Sequence, residues 1–270
     1  MLELLEQLFR QVRVYAQSER LDRSHVYAQT SKHTTMQFDH DAEELIINGL
    51  IESSAGIESG FEIITEERPT FSTMPNPLYR IVVDPIDGSS NVSRGIMTAA
   101  VSLAVLPIDA PILPDHVQWA FVGELFSGTV YEAQKGRGAF RDGRRCQVSN
   151  TKSIRSCLAG MNLDGRGQNV MKALLTQDPV LGQVRRTGSA AIDSVYVASG
   201  TYDAYIDVGG ALTGESFLAS TSIVLEAGGI VSDHEGKPLR PIKTLNDKYS
   251  LVMAGTRELH QEILTKIKNV

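Results

Sequence analysis

Asp84-Pro85-Ile86-Asp87-Gly88-Ser89-Ser90-Asn91 gathers two carboxylates, two hydroxyls and a glycine in one short run. It follows the apolar stretch that ends in Val82-Val83, where a strand is expected to stop. Two acids separated by proline and isoleucine, with glycine next, suit a turn that points oxygens at a hard cation better than they suit a buried strand or helix. Mg²⁺ takes oxygen ligands in near-octahedral geometry and keeps some of its waters. Asp84 and Asp87 each offer a carboxylate, and the Ile86 carbonyl offers a third oxygen. Gly88 lets the backbone approach a ligand closely. If a helix begins here, the amides of Gly88, Ser89 and Ser90 face phosphate oxygens. Standing alone, a D-x-x-D-G pattern is more often a turn with two solvated acids.

Three further features change that balance. Thr65-Glu66-Glu67 follows another strand-like run and brings paired carboxylates to the edge of a loop. Asp39 opens a helix-like stretch. Glu215-Ser216 precedes a helix that closes in Glu226-Ala227-Gly228-Gly229. Between them lie Lys135-Gly136-Arg137-Gly138-Ala139-Phe140 with Asp142-Gly143, and Gly188-Ser189-Ala190-Ala191 through Gly200 followed by Tyr202-Asp203-Ala204-Tyr205. In this order the motifs resemble those of the inositol monophosphatase superfamily, which includes inositol monophosphatases, bisphosphate nucleotidases and fructose-1,6-bisphosphatases. The resemblance runs over nearly the whole chain. Its most specific part is the match of residues 84–91 to D-P-[IL]-D-G-[TS]-x-N.

The resemblance implies an α/β (α+β) layered sandwich of alternating helix and sheet layers. Residues 1–149 would form an N-terminal part carrying the metal motifs, and residues 150–270 a C-terminal part completing the site. Two or three Mg²⁺ ions per site would be held by Glu66, Asp84, Asp87 and the Ile86 carbonyl. Ser89 stands where the family usually has threonine, and Asp39 matches the carboxylate that pairs with that hydroxyl. Asp39, Glu66 and Ser89 are thus the expected catalytic residues. Asp207 stands where the family often places an acid that contacts substrate hydroxyls, and Gly88, Ser89, Ser90 and Ser216 join it as expected substrate or phosphate contacts. The chain departs from the family at Ser216, which stands where an aspartate metal ligand is usual. Glu215 beside it is the candidate replacement. Residues 207–212 look closer to the archaeal inositol monophosphatase/fructose bisphosphatase branch.

The implied reaction is hydrolysis of a small phosphomonoester by in-line attack of a metal-activated water, with inositol monophosphate as the first substrate to expect. Fructose 1,6-bisphosphate and a 3′(2′),5′-bisphosphate nucleotide are the alternatives within the class. Outside it, Ser216 motivates a catalytically impaired binding or regulatory relative. The family further suggests a homodimer and lithium sensitivity.

Helices and strands must position these groups. Leu5, Leu8, Phe9, Val12 and Ala16 recur at helical spacing. A second helix is expected from Asp39–Asp41 through Leu45, Ile46 and Leu50, with Asp39 or Asp41 as N-cap. Strands are expected at Phe61–Thr65, Leu78–Val83 and Ala99–Leu106, with Arg68–Pro77 as loop. A hairpin is expected around Ser127-Gly128. Later come strands at Ser156–Met161, Tyr202–Val208, Ile230–Ser232 and Leu251–Ala254. Helices are expected at Asn169–Leu175, Ser189–Ala198 and Phe217–Ala227, and a last one capped by Thr256. No repeat or low-complexity segment interrupts the pattern, and a boundary is plausible near Ser149–Ser153.

With 270 residues, 42% hydrophobic and 21% charged, the chain can bury a large core. A net charge of −6 without a Lys/Arg-rich run disfavours nucleic acid or an anionic membrane as partner. The two cysteines, Cys146 and Cys157, form no disulfide framework, so a reducing cytoplasm is the expected setting. The leading residues, with Glu3 and Glu6, lack signal-peptide character. The remaining polar candidates have blander readings. His33 and His40 are expected at the surface, Lys32 and Arg185-Arg186 in water unless they meet a phosphate, Ser189 at a helix start or facing the substrate, and Trp119 in the core.

Overall fold

The computed structural model describes residues 1–18, 21–29, 34–57, 60–66, 68–162 and 168–269; Lys32, His33 and Glu67 lie outside the described residues. The chain opens with α1 (Leu2–Ala16), whose buried side chains are Leu5, Leu8, Phe9, Val12 and Ala16, the set its periodicity selects. Strands β1 (Val26–Gln29) and β2 (Thr34–Met36) pair antiparallel and lead into α2 (Gln37–Ile57). Then follow β3 (Phe61–Thr65), β4 (Phe71–Ser72), β5 (Tyr79–Asp87), the short α3 (Ser89–Ser93) and β6 (Ala100–Pro107). Strands β7 (Trp119–Glu124), β8 (Val130–Gln134), β9 (Gly138–Arg141) and β10 (Arg144–Arg145) complete the first half. The second half runs β11 (Leu158–Met161), α4 (Gln168–Thr176), β12 (Gln183–Arg185), α5 (Ala190–Ala198) and β13 (Ala204–Leu212). It ends with α6 (Gly214–Glu226), β14 (Ile230–Ser232), β15 (Tyr249–Ala254) and α7 (Arg257–Lys268).

The strands form an eight-stranded sheet, β10-β9-β8-β7-β6-β5-β3-β4, and a five-stranded sheet, β12-β11-β13-β15-β14, besides the β1-β2 pair. Successive side chains in a strand point to opposite faces, and here each face meets a different core. Ile81, Val83, Leu103 and Val105 pack with α1 and α2, whereas Val82, Ala104 and Leu106 pack with α5 and α6. Tyr205, Leu251 and Met253 of the smaller sheet join that same central core, while Ala204, Ile206, Val252 and Ala254 face α4 and α7. The order is therefore helix, sheet, helix, sheet, helix, the layered α/β sandwich expected. A cut between residues 149 and 150 separates the two sheets in sequence, yet the central core draws side chains from both sides of it. Close approach of α1 to the large sheet depends on Gly123: a Cβ there would lie 2.4 Å from the Phe9 ring.

Several boundaries differ from the sequence reading, and each has a physical reason. α2 starts at Gln37, so Asp39 occupies its first turn and is not the cap. Its carboxylate reaches back to accept from the Met36 amide at 3.3 Å, the return half of a capping box. Arg68–Pro77 is not wholly loop, because Phe71–Ser72 pairs with β3. β5 does not stop at Asp84: it continues through Asp87, with a register irregularity against β6 between those two acids. Proline is tolerated at such a bulge because the ladder is already interrupted. α6 starts three residues early, at Gly214, with Thr213 extended as its N-cap, so Glu215 and Ser216 lie in its first turn. Ser189 and Thr256 cap α5 and α7 as their sequence positions suggest.

Candidate active site

The bulged end of β5 and the start of α3 form the centre of the site. Asp84, Ile86 and Asp87 are buried; Gly88 adopts a left-handed φ of 107° as the N-cap of α3. A side chain at Gly88 would also crowd the Thr98 carbonyl and Ala99. The turn places Ser89 so that its hydroxyl lies 2.7 Å from Asp39 Oδ1 and 2.8 Å from the Ile86 carbonyl oxygen. One hydroxyl hydrogen serves either acceptor, which leaves the oxygen's lone pairs for a third partner. Asp39, fifty positions away in sequence, comes to Ser89 because the first turn of α2 abuts the end of β5.

The smaller sheet's half closes on this centre. Asp87 Oδ2 accepts from the Ser189 hydroxyl and, at 2.7 Å, from the Ala191 amide at the start of α5. Asn91 donates from Nδ2 to the Thr98 and Thr187 carbonyls, both at 2.8 Å, and so ties α3 to the same segment. Gly188 is needed there: its φ is 83°, and a Cβ would lie 2.9 Å from the Asn91 amide. Ser216 and Arg186 line one cavity with Asp87 and Ser189. Glu66 and Glu215 line a second cavity, and Thr213 borders both.

The electrostatics set this cluster apart. Burial pushes Asp84 well above the ordinary carboxylate range, and Asp87, Glu66, Glu215 and Asp39 push it further. Asp87 rises to about 6, chiefly by burial, against the Ser189 and Ala191 hydrogen bonds. Glu215 rises to about 7, again by burial, with Glu66 adding to it and Thr213 and Lys248 opposing. Asp193 on α5, which accepts from the Thr187 amide, is raised to about 7 by burial and in part by Asp87. Like charges held together in a dry place favour the neutral form unless a cation joins them.

Among the described residues, no three His, Cys, Asp or Glu side chains stand close enough to hold a metal ion as they are. The donor chemistry nevertheless fits Mg²⁺. All the groups are oxygens, the charges of Asp87, Glu66, Glu215 and Asp39 all act on Asp84, and Glu215 Oε2 is buried with no hydrogen-bond partner among the described residues.

The other expected residues are placed as follows. Glu66 is exposed just beyond β3, and Ser90 is exposed on α3. Asp207 is fully buried, accepting from Asn162 Nδ2 at 2.9 Å and the Gly209 amide at 3.2 Å. Asn162 and Tyr205 line the cavity in front of it, so a direct contact from Asp207 to substrate is not what the geometry favours. His40 is half-buried, stacked on Tyr27 with ring centroids 4.0 Å apart. Sequence reasoning missed Glu43. It is wholly buried one turn after Asp39, accepting from Thr65 Oγ1 and Arg68 Nε at 2.6 Å each, and so it grips both sides of Glu66. The i to i+4 spacing from Asp39 was the available signal.

A model of the inositol monophosphatase family matches residues 1–270. The chain is 34% identical over 190 residues to a fructose-1,6-bisphosphatase/inositol-1-monophosphatase of Methanothermobacter thermautotrophicus, covering 69% of this chain and 67% of that protein. It is 30% identical over 236 residues to an inositol-1-monophosphatase of Mesorhizobium japonicum, covering 86% and 82%. Among solved structures, the extragenic suppressor protein suhB of Bartonella henselae superposes with a TM-score of 0.77 at 25% identity, over 99% of this chain and 96% of that one.

Proposed function

The chain belongs to the inositol monophosphatase family, a family of phosphatases, and from that membership we infer that it hydrolyses a small phosphomonoester, inositol monophosphate first, in a Mg²⁺-dependent reaction. The observation that carries the reading is the 2.7 Å hydrogen bond from Ser89 to Asp39, set beside the buried, mutually repelling Asp84, Asp87 and Glu215.

Glu66, Asp84, Asp87, the Ile86 carbonyl and Glu215 are the residues that would hold Mg²⁺. Bound there, the cation would neutralise phosphate charge and lower the pKa of a water. The chain's own groups do the rest. Ser89 accepts a hydrogen bond from the attacking water while donating to Asp39, so Asp39 becomes the proton acceptor at Oδ1. The Ser89 and Ser90 amides open α3 and have no preceding helical turn to bond to, which suits the Gly88–Ser90 segment to phosphate oxygens. Phosphoryl transfer is chiefly a matter of such positioning and charge neutralisation. Water oxygen bonds to phosphorus as its proton passes by way of Ser89 to Asp39, the ester P–O bond breaks, and the leaving alkoxide takes a proton from solvent water. Asn162, Tyr205 and Ser216 line the place where the non-reacting part of the substrate sits. A homodimer belongs to the same reading, and light scattering after size-exclusion chromatography checks it.

Phosphate release from inositol 1-phosphate, fructose 1,6-bisphosphate and 3′-phosphoadenosine 5′-phosphate, with and without Mg²⁺, tests the proposal. Release from inositol 1-phosphate only when Mg²⁺ is present is expected. Preference for either bisphosphate would move the substrate assignment within the class. Ser216 favours one second reading, a phosphate-ester-binding relative with negligible turnover. Tight binding of the panel with no release by the folded, Mg²⁺-loaded protein would establish it.

A further inference from the structure

At the free edge of the eight-stranded sheet, the turn joining β9 to β10 carries three arginines, Arg141, Arg144 and Arg145, which line one cleft of about 600 Å³ with Gln147 and Ser199. Among the described residues none of the three is in an ion pair. Asp142 lies between them, but its Oδ1 accepts from the Val130 amide at 2.9 Å and is committed to the hairpin. Three cations against the single carboxylate of Asp142 leave this concavity positive in a chain whose net charge is −6.

Two of the three are seated against the fold. The Arg141 guanidinium lies over the Tyr131 ring, 5.5 Å from its centroid. The Arg145 guanidinium occupies the space over Gly138, where a Cβ would come within 2.8 Å of it. A guanidinium held in place loses less freedom on binding and offers its planar fork to a phosphate bidentately. The cleft is also separate from the carboxylate cluster: β10 lies five strand positions from β5, roughly 24 Å at ~4.8 Å per strand.

We propose that this cleft is a second anion site, which binds a small, multiply charged phosphate compound independently of the reaction centre. The footprint decides the class of ligand. All three cations come from one tight turn, so they converge on one compact group. An extended nucleic acid needs cations spaced along its backbone, whereas these three converge on one concavity.

Calorimetric titration of the full chain with inorganic tripolyphosphate, without Mg²⁺, tests the site. One saturable site is expected, weakened at least about tenfold in the double variant R144E/R145E, because two charge-assisted contacts are reversed. R144K/R145K, which keeps the charge but not the fork, should lie between that variant and the wild type. Asp87→Asn should leave this binding unchanged. R144E/R145E should keep the wild-type melting temperature and its rate of phosphomonoester hydrolysis, so that lost binding is not lost folding. No saturable binding, or equal affinity in wild type and R144E/R145E, would overturn the proposal. So would loss of binding on Asp87→Asn, which would assign the anion to the carboxylate site. Tighter, equally arginine-dependent binding of a single-stranded RNA oligonucleotide would overturn it too, in favour of a nucleic-acid surface.

Discussion

Two sets of buried acids lie close together in this chain and are treated in opposite ways. Glu43 has a donor at each oxygen, Thr65 at one and Arg68 at the other, and a further ion pair joins Arg68 to Glu44. Asp84 and Glu215 are buried among other carboxylates, and Glu215 Oε2 has no hydrogen-bond partner among the described residues. The first arrangement is how a fold accommodates a charge it needs for structure: the partners come with it. The second destabilises the chain by itself. An acid kept where burial and like charges both oppose its ionisation points to a role outside folding, with a cation as the missing term.

The widest expected separation between the two sets comes from Asp84→Asn. It should lower Mg²⁺-dependent phosphate release by about a thousandfold, since charge stabilisation of this kind contributes several kcal/mol to the barrier. In EDTA the same variant should melt a few degrees higher than wild type, at about 2–4 °C per kcal/mol of relieved repulsion. Opposite signs in the two measurements are the signature; a lower melting temperature in EDTA would erase the distinction from Glu43. Glu43→Ala should do the reverse. Losing one partner of a buried pair costs about 3–5 kcal/mol when both are dry. Arg68 is partly exposed, so a loss of about 2 kcal/mol by chemical denaturation is expected here. Because Glu43 grips Thr65 and Arg68 on either side of Glu66, the variant should also need more Mg²⁺ for half-maximal rate. An unchanged Mg²⁺ requirement would confine Glu43 to stability.

How much of this was legible in the sequence depended on what each feature answers to. The α1 periodicity and the β3, β7 and β8 strands answer to local pattern, and their positions agree closely with the sequence reading. The layer order was available only through the family resemblance, because no local pattern says which sheet face meets which helix. The stretch 84–87 was misread as a turn: a proline and two acids argue against a strand locally, and only pairing with β6 across a bulge makes one. The start of α6 was misplaced for a related reason. Gly214 and Glu215 look like loop until the packing of Phe217 and Leu218 into the central core fixes the helix phase. The i to i+4 spacing places Glu43 on the Asp39 face of α2, but its role was not legible because its partners, Thr65 and Arg68, are more than twenty positions away in sequence. Ser189 was read only as a helix start or a substrate contact, and its second task of donating to Asp87 depends on the same kind of distant contact.

The pH dependence of stability separates the two sets next. Folding raises Asp87 from 3.8 to about 6 and Glu215 from 4.5 to about 7. Between about pH 4 and about pH 7 the folded chain therefore holds more protons than the unfolded chain, and stability must fall as pH rises through that window. In EDTA the decline should be on the order of 4 kcal/mol, read from denaturant midpoints at pH 5 and pH 7.5. Glu215→Gln should flatten part of it. Equal slopes in wild type and Glu215→Gln would mean that Glu215 does not carry the strain assigned to it.

The smallest expected effect concerns Ser216, which stands beside the strained acids yet adds no charge to them. It lines the cavity that contains Asp87, and its hydroxyl lies 3.4 Å from Thr213 Oγ1. Ser216→Asp would put a further carboxylate in the first turn of α6, where the helix dipole favours negative charge. It would also add one more like charge near Asp87. The two consequences can be told apart. With Mg²⁺ the extra oxygen donor should lower the concentration for half-maximal rate by about tenfold, equivalent to about 1.4 kcal/mol. In EDTA the added repulsion should lower the melting temperature by a few degrees. A variant with tighter Mg²⁺ dependence and lower metal-free stability would extend the strained set by one residue. A variant that leaves both unchanged would place Ser216 outside that set, with the substrate-facing wall of the cavity as its remaining role.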